Sequence, residues 1–152
     1  MIKHSFIIVL IIILGVAGFL IGRVLNKETS GYEMARVKIG GKTINVEIAD
    51  TLEKQLEGLS GRESLAENNG MLFVFNEAKS YTFWMKDMNF SLDIIWINDN
   101  EVVDFIENAQ PSKEKIPPSF YPQTPADKVL EAPAGSVKKL NIKVGDRITV
   151  NN

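Results

Sequence analysis

The sequence predicts an α+β fold: a single compact domain on a mostly antiparallel, barrel-like sheet with two short helices, preceded by one transmembrane helix. Three observations carry this. Beyond residue 34, apolar residues recur in short runs, alternating or continuous, separated by Gly, Asn, Asp and Pro, which is the pattern of strands joined by turns. Only the stretches after Asp50 and at Ser136 to Leu140 carry helical signals. And Phe6 to Ile21 contain no polar side chain.

That N-terminal run sets the expected domain organisation. As a helix, Ser5 to Gly22 would span about 27 Å, close to the hydrocarbon thickness of a bilayer. The expected boundaries are a tail at residues 1–4, a membrane anchor or signal sequence at 5–22, a linker at 23–34 and the domain at 35–152. An uncleaved anchor is favoured over a signal peptide: the small residues Gly15 to Gly18 lie inside the apolar run, and Phe19-Leu20-Ile21 continues it. Lys3 and the amino terminus on one side nearly balance Arg23 and Lys27 on the other, so charge alone does not orient the segment.

In the domain, Ala35 to Ile39 and Lys42 to Ala49 flank Gly40-Gly41, the signal of a tight hairpin. Ile44, Val46 and Ile48 share its inner face. Asp50 is expected to cap a short helix, with Glu53 completing a capping box, and Leu52, Leu56 and Leu59 form its inward stripe up to a stop near Gly58. A polar loop then leads through Asn69-Gly70 into the stretch around which the core is organised, Gly70 to Asn98, which holds both tryptophans and three of the five methionines.

Met71 to Phe75 fits a strand buried on both faces. In Tyr81 to Lys86, Tyr81, Phe83 and Met85 alternate with Thr82, Trp84 and Lys86, predicting a strand that buries the first set and presents the second at a rim. Leu92 to Ile97 and Val102 to Ile106 form a hairpin through Asn98-Asp99-Asn100, residues tolerant of positive φ. Gln110 to Asp127 holds five of the six prolines, with Phe120 and Tyr121 among them, and predicts a long loop. Lys128 to Ala132 resumes as a strand, with Val129 and Glu131 on one face. Ser136 is expected to cap a helix through Leu140, and Gly145-Asp146 turns into a closing strand from Arg147 to Val150.

Gly58-Leu59, Gly61-Arg62, GMLFVF (70–75), FWMK (83–86), LDIIWI (92–97), VLEAPAG (129–135) and Val144-Gly145-Asp146 together resemble the small bacterial and archaeal family named domain of unknown function 192. The resemblance covers residues 35–150. It implies one strand-rich α+β domain, often exported or membrane-anchored, and no established activity. It tips the membrane orientation towards an extracytoplasmic domain, which would be secreted if the N-terminal segment were cleaved. It also implies Asn and a small polar residue after Trp-Met-Lys, where this chain has Asp87 and Met88.

Composition excludes much chemistry. The chain has no cysteine, and its single histidine, His4, adjoins the membrane segment. The domain therefore has no Ser-His-Asp or Cys-His nucleophile, no His/Cys zinc site and no disulfide, and no cofactor is expected. From Glu28 onward lie all 19 acids and 14 of the 17 bases, a net charge of −5, with no basic stripe for nucleic acid. An enzyme here would run on carboxylates, Lys, Tyr or Ser.

Asp93 and Glu131, carboxyls inside apolar strands, are the catalytic candidates. As a pair they could serve as general acid and base, on a glycan for instance. The alternative is that Asp93 accepts backbone N–H bonds, or an ion pair from Lys86 or Arg62, and fixes the core. Met85 and Met88 beside Trp84 form a weak thioether candidate for a soft metal, against ordinary inward packing of Met85. Trp84, Lys86, Phe120 and Tyr121 with Asp93 and Glu131 are the candidate ligand-binding set. The expected function is a ligand-binding or interaction module for a small molecule, glycan or protein, membrane-tethered through residues 5–22, with a carboxylate hydrolase as the rival.

Overall fold

The computed structural model describes residues 31–151, so the tail, the expected membrane segment and most of the linker lie outside the described residues. Among the described residues no helix is long and apolar enough to cross a membrane. The chain runs β1 (Glu33–Ile39), β2 (Lys42–Ala49), α1 (Leu52–Glu57), β3 (Asn69–Lys79), β4 (Phe83–Trp84), β5 (Leu92–Asn98), β6 (Glu101–Ala109), β7 (Ser119–Phe120), β8 (Ala126–Pro133), α2 (Ser136–Leu140) and β9 (Thr149–Asn151). Seven strands form one sheet in the order β6-β5-β8-β3-β2-β1-β9, and β4 pairs with β7 in a separate ribbon.

The hairpin turns have the backbone that their sequences demand. Gly40 and Gly41 take φ 56° and 75°, and Asp99 and Asn100 take 47° and 64°, so both turns run through the left-handed region that suits twisted antiparallel strands. The main sheet is mostly antiparallel, as expected, with two features that the sequence did not predict. First, β2 and β3 are parallel, with Val46 opposite Gly70 and Ile48 opposite Leu72. A parallel pair needs a crossover, and α1 with its following loop supplies it. Second, the sheet is open and mixed, not a closed barrel. Its outer ends meet through the isolated bridge of Glu101 with Arg147, where the Val102 N–H donates to Asp146 O at 2.9 Å.

Both faces of the central strands are covered, which is why Leu92 to Ile97 reads as a continuous apolar run. On one face Val46, Leu72, Ile95 and Leu130 pack with Val137 and Leu140 of α2. On the other, Met71, Phe73, Ile94, Trp96 and Val129 pack with Leu59 and Met85.

Local expectations shift at the helices. Thr51, not Asp50, caps α1, its hydroxyl accepting the Lys54 N–H at 3.4 Å, while Asp50 pairs with the Lys54 ammonium at 3.0 Å. Leu59 is buried, but Leu52 and Leu56 are 72 % and 76 % exposed. The helix is held instead through Gln55, whose side-chain amide donates to Val74 O at 2.8 Å. Of the expected strand at Tyr81 to Lys86 only Phe83–Trp84 forms, paired with Ser119–Phe120 from the proline-rich segment. The predicted alternation survives, with Met85 buried and Thr82, Trp84 and Lys86 exposed.

Candidate functional site

β8 lies between β3 and β5, and its register decides which carboxyls can meet. Asp93 stands opposite Ala132, while Glu131 stands opposite Ile94 on one side and Met71 on the other. Directly opposed residues share a face and successive residues alternate, so Asp93 and Glu131 point to opposite faces of the sheet. The catalytic pair expected from these two residues is therefore not formed.

Asp93 is fully buried beneath α2. Its Oδ2 accepts the Val137 N–H and its Oδ1 the Asn108 N–H, both at 2.8 Å. The cation alternatives fall elsewhere. Arg62 makes a two-pronged pair with Glu47 at 2.6 and 2.7 Å, and the Lys86 ammonium lies 5.5 Å from the centre of the Trp84 ring. Asp93 thus belongs to the core and not to a ligand site.

Glu131 has the opposite character. It is 5 % exposed, and among the described residues no hydrogen bond or ion pair engages it. Burial with nothing to offset it pushes its pKa up to about 8, so at neutral pH the carboxyl is predominantly protonated. Its carboxyl looks into a cleft of about 700 Å³ between α1 and the turn region around Tyr81 to Met88. Phe73, Phe83 and Trp84 give that cleft aromatic walls, Leu52 and Leu56 line it from α1, and Asp50, Glu57, Glu77 and Lys79 bring charge to it.

The walls are fixed by ring contacts. Phe83 meets Phe73 edge to face at 4.9 Å and Trp96 at 6.4 Å, and Phe75 stacks on Tyr81 at 3.6 Å. The Trp96 indole N–H donates to Tyr81 O at 3.2 Å, anchoring the segment that carries Phe83 and Trp84. Trp84 itself is 57 % exposed at the cleft.

Of the expected ligand-binding set, Trp84 and Glu131 line the cleft. Phe120 is half-buried one strand away, opposite Phe83, and Tyr121 is exposed outside the lining. Lys86 also lies outside the lining, stacked over Trp84. Met85 is wholly buried, while Met88 lines the cleft. Asp87, standing where the family resemblance implies Asn, takes φ 56°, a conformation that Asn and Asp both tolerate, so the exchange leaves the backbone path intact. Sequence reasoning missed Leu52, Leu56 and Gln55. The leucines carry the spacing of a buried stripe, so periodicity alone places them in the core.

The family model DUF192, described as "Uncharacterized ACR", matches residues 35–150. A UPF0127 protein of Pyrococcus furiosus is 29 % identical over 119 residues, covering 73 % of this chain and 92 % of that protein. Two crystal structures share the fold. One, from Sinorhizobium meliloti and described as a candidate transcription regulator, has a TM-score of 0.72 and 33 % identity, covering 79 % of this chain and 95 % of its own. The other, a protein of unknown function from Novosphingobium aromaticivorans, has a TM-score of 0.73 and 31 % identity, covering 80 % and 89 %.

Proposed function

We propose a function from the cleft, because the chain belongs to the DUF192 family and that family is itself uncharacterised: the domain is a binding module for a small, largely apolar ligand. One observation carries this. A buried carboxyl with no partner among the described residues opens into a cleft with aromatic and aliphatic side chains on its walls, the combination of apolar walls and a few placed polar groups that small-molecule sites use. Exposed Leu52, Leu56 and Trp84 on the same cleft support it, since clustered exposed apolar groups mark interaction sites.

The test is an NMR titration of the full-length chain with 2-phenylethanol and phenethylamine. Shifts confined to residues 52–60, 73–84, 88 and 131 support the cleft as the site. Shifts spread over the surface, or none with either compound, overturn it.

We further propose that residues 5–22 tether the module to a membrane and that the domain lies outside the cytoplasm. The unbroken apolar run of the sequence supports the tether. Cell fractionation with N-terminal sequencing tests it, and a soluble product beginning after residue 18 reverses it.

A further inference from the structure

We infer that the cleft takes an amine, a cationic nitrogen carried on an apolar or aromatic body, with the nitrogen seated on the Glu131 carboxyl. This rests on the binding reading above and names its ligand class.

The polar groups around Glu131 favour a cation over an anion. Its neighbours across the sheet, Met71 and Ile94, are wholly apolar and buried, so the ligand must supply whatever partner the carboxyl gains. The titratable groups facing the cleft are Asp50 and Glu57 from α1 and its approach, Glu77 and Lys79 from the outer end of β3, and Tyr81. Three carboxyls thus stand against one ammonium. That ammonium, on Lys79, is exposed and already paired with Glu77 at 2.8 Å. Asp50 is paired with Lys54, and Glu57 accepts the Tyr32 hydroxyl at 3.2 Å. Among the carboxyls of the cleft, Glu131 is the one left without a partner from the described residues.

The walls point the same way. Phe73 and Phe83 present π-systems that attract a cation, and Trp84, which already carries the Lys86 ammonium 5.5 Å from its ring centre, adds area to cover an apolar body. Among the described residues that line the cleft, an anionic ligand would meet only the Lys79 ammonium, already paired with Glu77, and the Lys86 ammonium over Trp84 lies outside that lining.

Binding of an ammonium to this carboxyl has a chemical signature. The empty cleft holds Glu131 as –COOH, since burial raises its pKa to about 8. The arriving R–NH3⁺ stabilises –COO⁻, the O–H bond of the carboxyl breaks, and the proton passes to solvent while the ammonium keeps its own protons. No oxidant or further reactant takes part.

Isothermal titration calorimetry of the full-length chain with phenethylamine at pH 7, in two buffers of different ionisation enthalpy, reads that proton directly. The expected result is release of roughly one proton per amine bound, with affinity rising by up to about tenfold per pH unit as the pH goes from 6 towards 8. Glu131→Gln should remove the proton release and weaken phenethylamine by at least about tenfold, a clearly larger loss than it causes for 2-phenylethanol, which carries no charge to pair. Equal affinity for amine and alcohol in the wild type, or amine binding without proton release, overturns the amine while leaving the cleft as a binding site. Loss of both ligands from the wild-type cleft overturns both readings.

Discussion

Asp93 caps the helix α2 from a strand 44 residues away in sequence, its Oδ2 accepting the Val137 N–H at 2.8 Å. Gly135 at the N-cap position has no side chain to do so, and Ser136, expected as the cap, is the first helical residue, its hydroxyl turned to Pro133 O. The other oxygen takes the Asn108 N–H, so one side chain joins β5, the end of β6 and α2. Asn at this position offers one acceptor and one amide donor, leaving a backbone N–H facing N–H. Asp93→Asn should therefore destabilise by about 1–3 kcal/mol, and Asp93→Leu by more, because it strands both donors. Urea denaturation midpoints check this, and an unchanged or raised midpoint in Asp93→Asn would refute it.

How much could be read in advance depends on how local each signal is. The Gly40-Gly41 and Asp99-Asn100 turns and the apolar run at Leu92 to Ile97 follow from residue chemistry within a few positions, as does the need of Asp93 for donors, but which donors it finds, 15 and 44 residues away, does not. The parallel pairing of β2 with β3 does not, because strand direction depends on where the crossover returns the chain. The β8 register, which parts Asp93 from Glu131, is equally a property of three strands together. For the site, Trp84 and Glu131 stood out as an aromatic at a rim and a carboxyl in a strand. Leu52 and Leu56 did not, since a helix covering a cleft and a helix covering a core carry the same spacing.

Gly70 tests the centre of the sheet. A Cβ built there would lie 2.6 Å from Glu131 O and 3.2 Å from the Leu130 side chain. The first contact is backbone in a central strand and cannot rotate away, so β3 and β8 would have to part. Gly70→Ala should cost about 1–3 kcal/mol, although alanine is otherwise the better strand residue. Thermal unfolding measures it; a Tm at or above wild type would show that the strands yield freely.

The leucines of α1 separate stability from binding. A buried leucine truncated to alanine loses about 2–5 kcal/mol, whereas an exposed side chain away from core contacts changes stability by less than about 0.5 kcal/mol. Leu52→Ser with Leu56→Ser should therefore leave the urea midpoint nearly unchanged and still weaken phenethylamine by removing apolar wall from the cleft. A large loss of stability would return these residues to the core stripe that their spacing suggests.

Glu131 makes stability depend on pH in a direction opposite to most carboxyls. Its pKa is about 8 in the folded chain against an ordinary 4.5, so between those values the folded state holds a proton that the unfolded state has released. The stability linked to this proton is fully present below pH 4.5 and is lost as pH rises through 8. Integrated over the interval, the loss is on the order of 5 kcal/mol. Other carboxyls titrate in the acid range, so the useful quantity is the difference between wild type and Glu131→Gln, which keeps the shape and cannot ionise. Relative to wild type the variant should gain stability steadily from pH 5 to 8, by roughly 1 kcal/mol or more per unit, and the gap should level off above pH 8. Phenethylamine should narrow that gap at high pH, because it binds the ionised wild type more tightly than the amide. Urea melts at four pH values would decide it, and parallel curves for the two proteins would show that the carboxyl is solvated or partnered in the folded state.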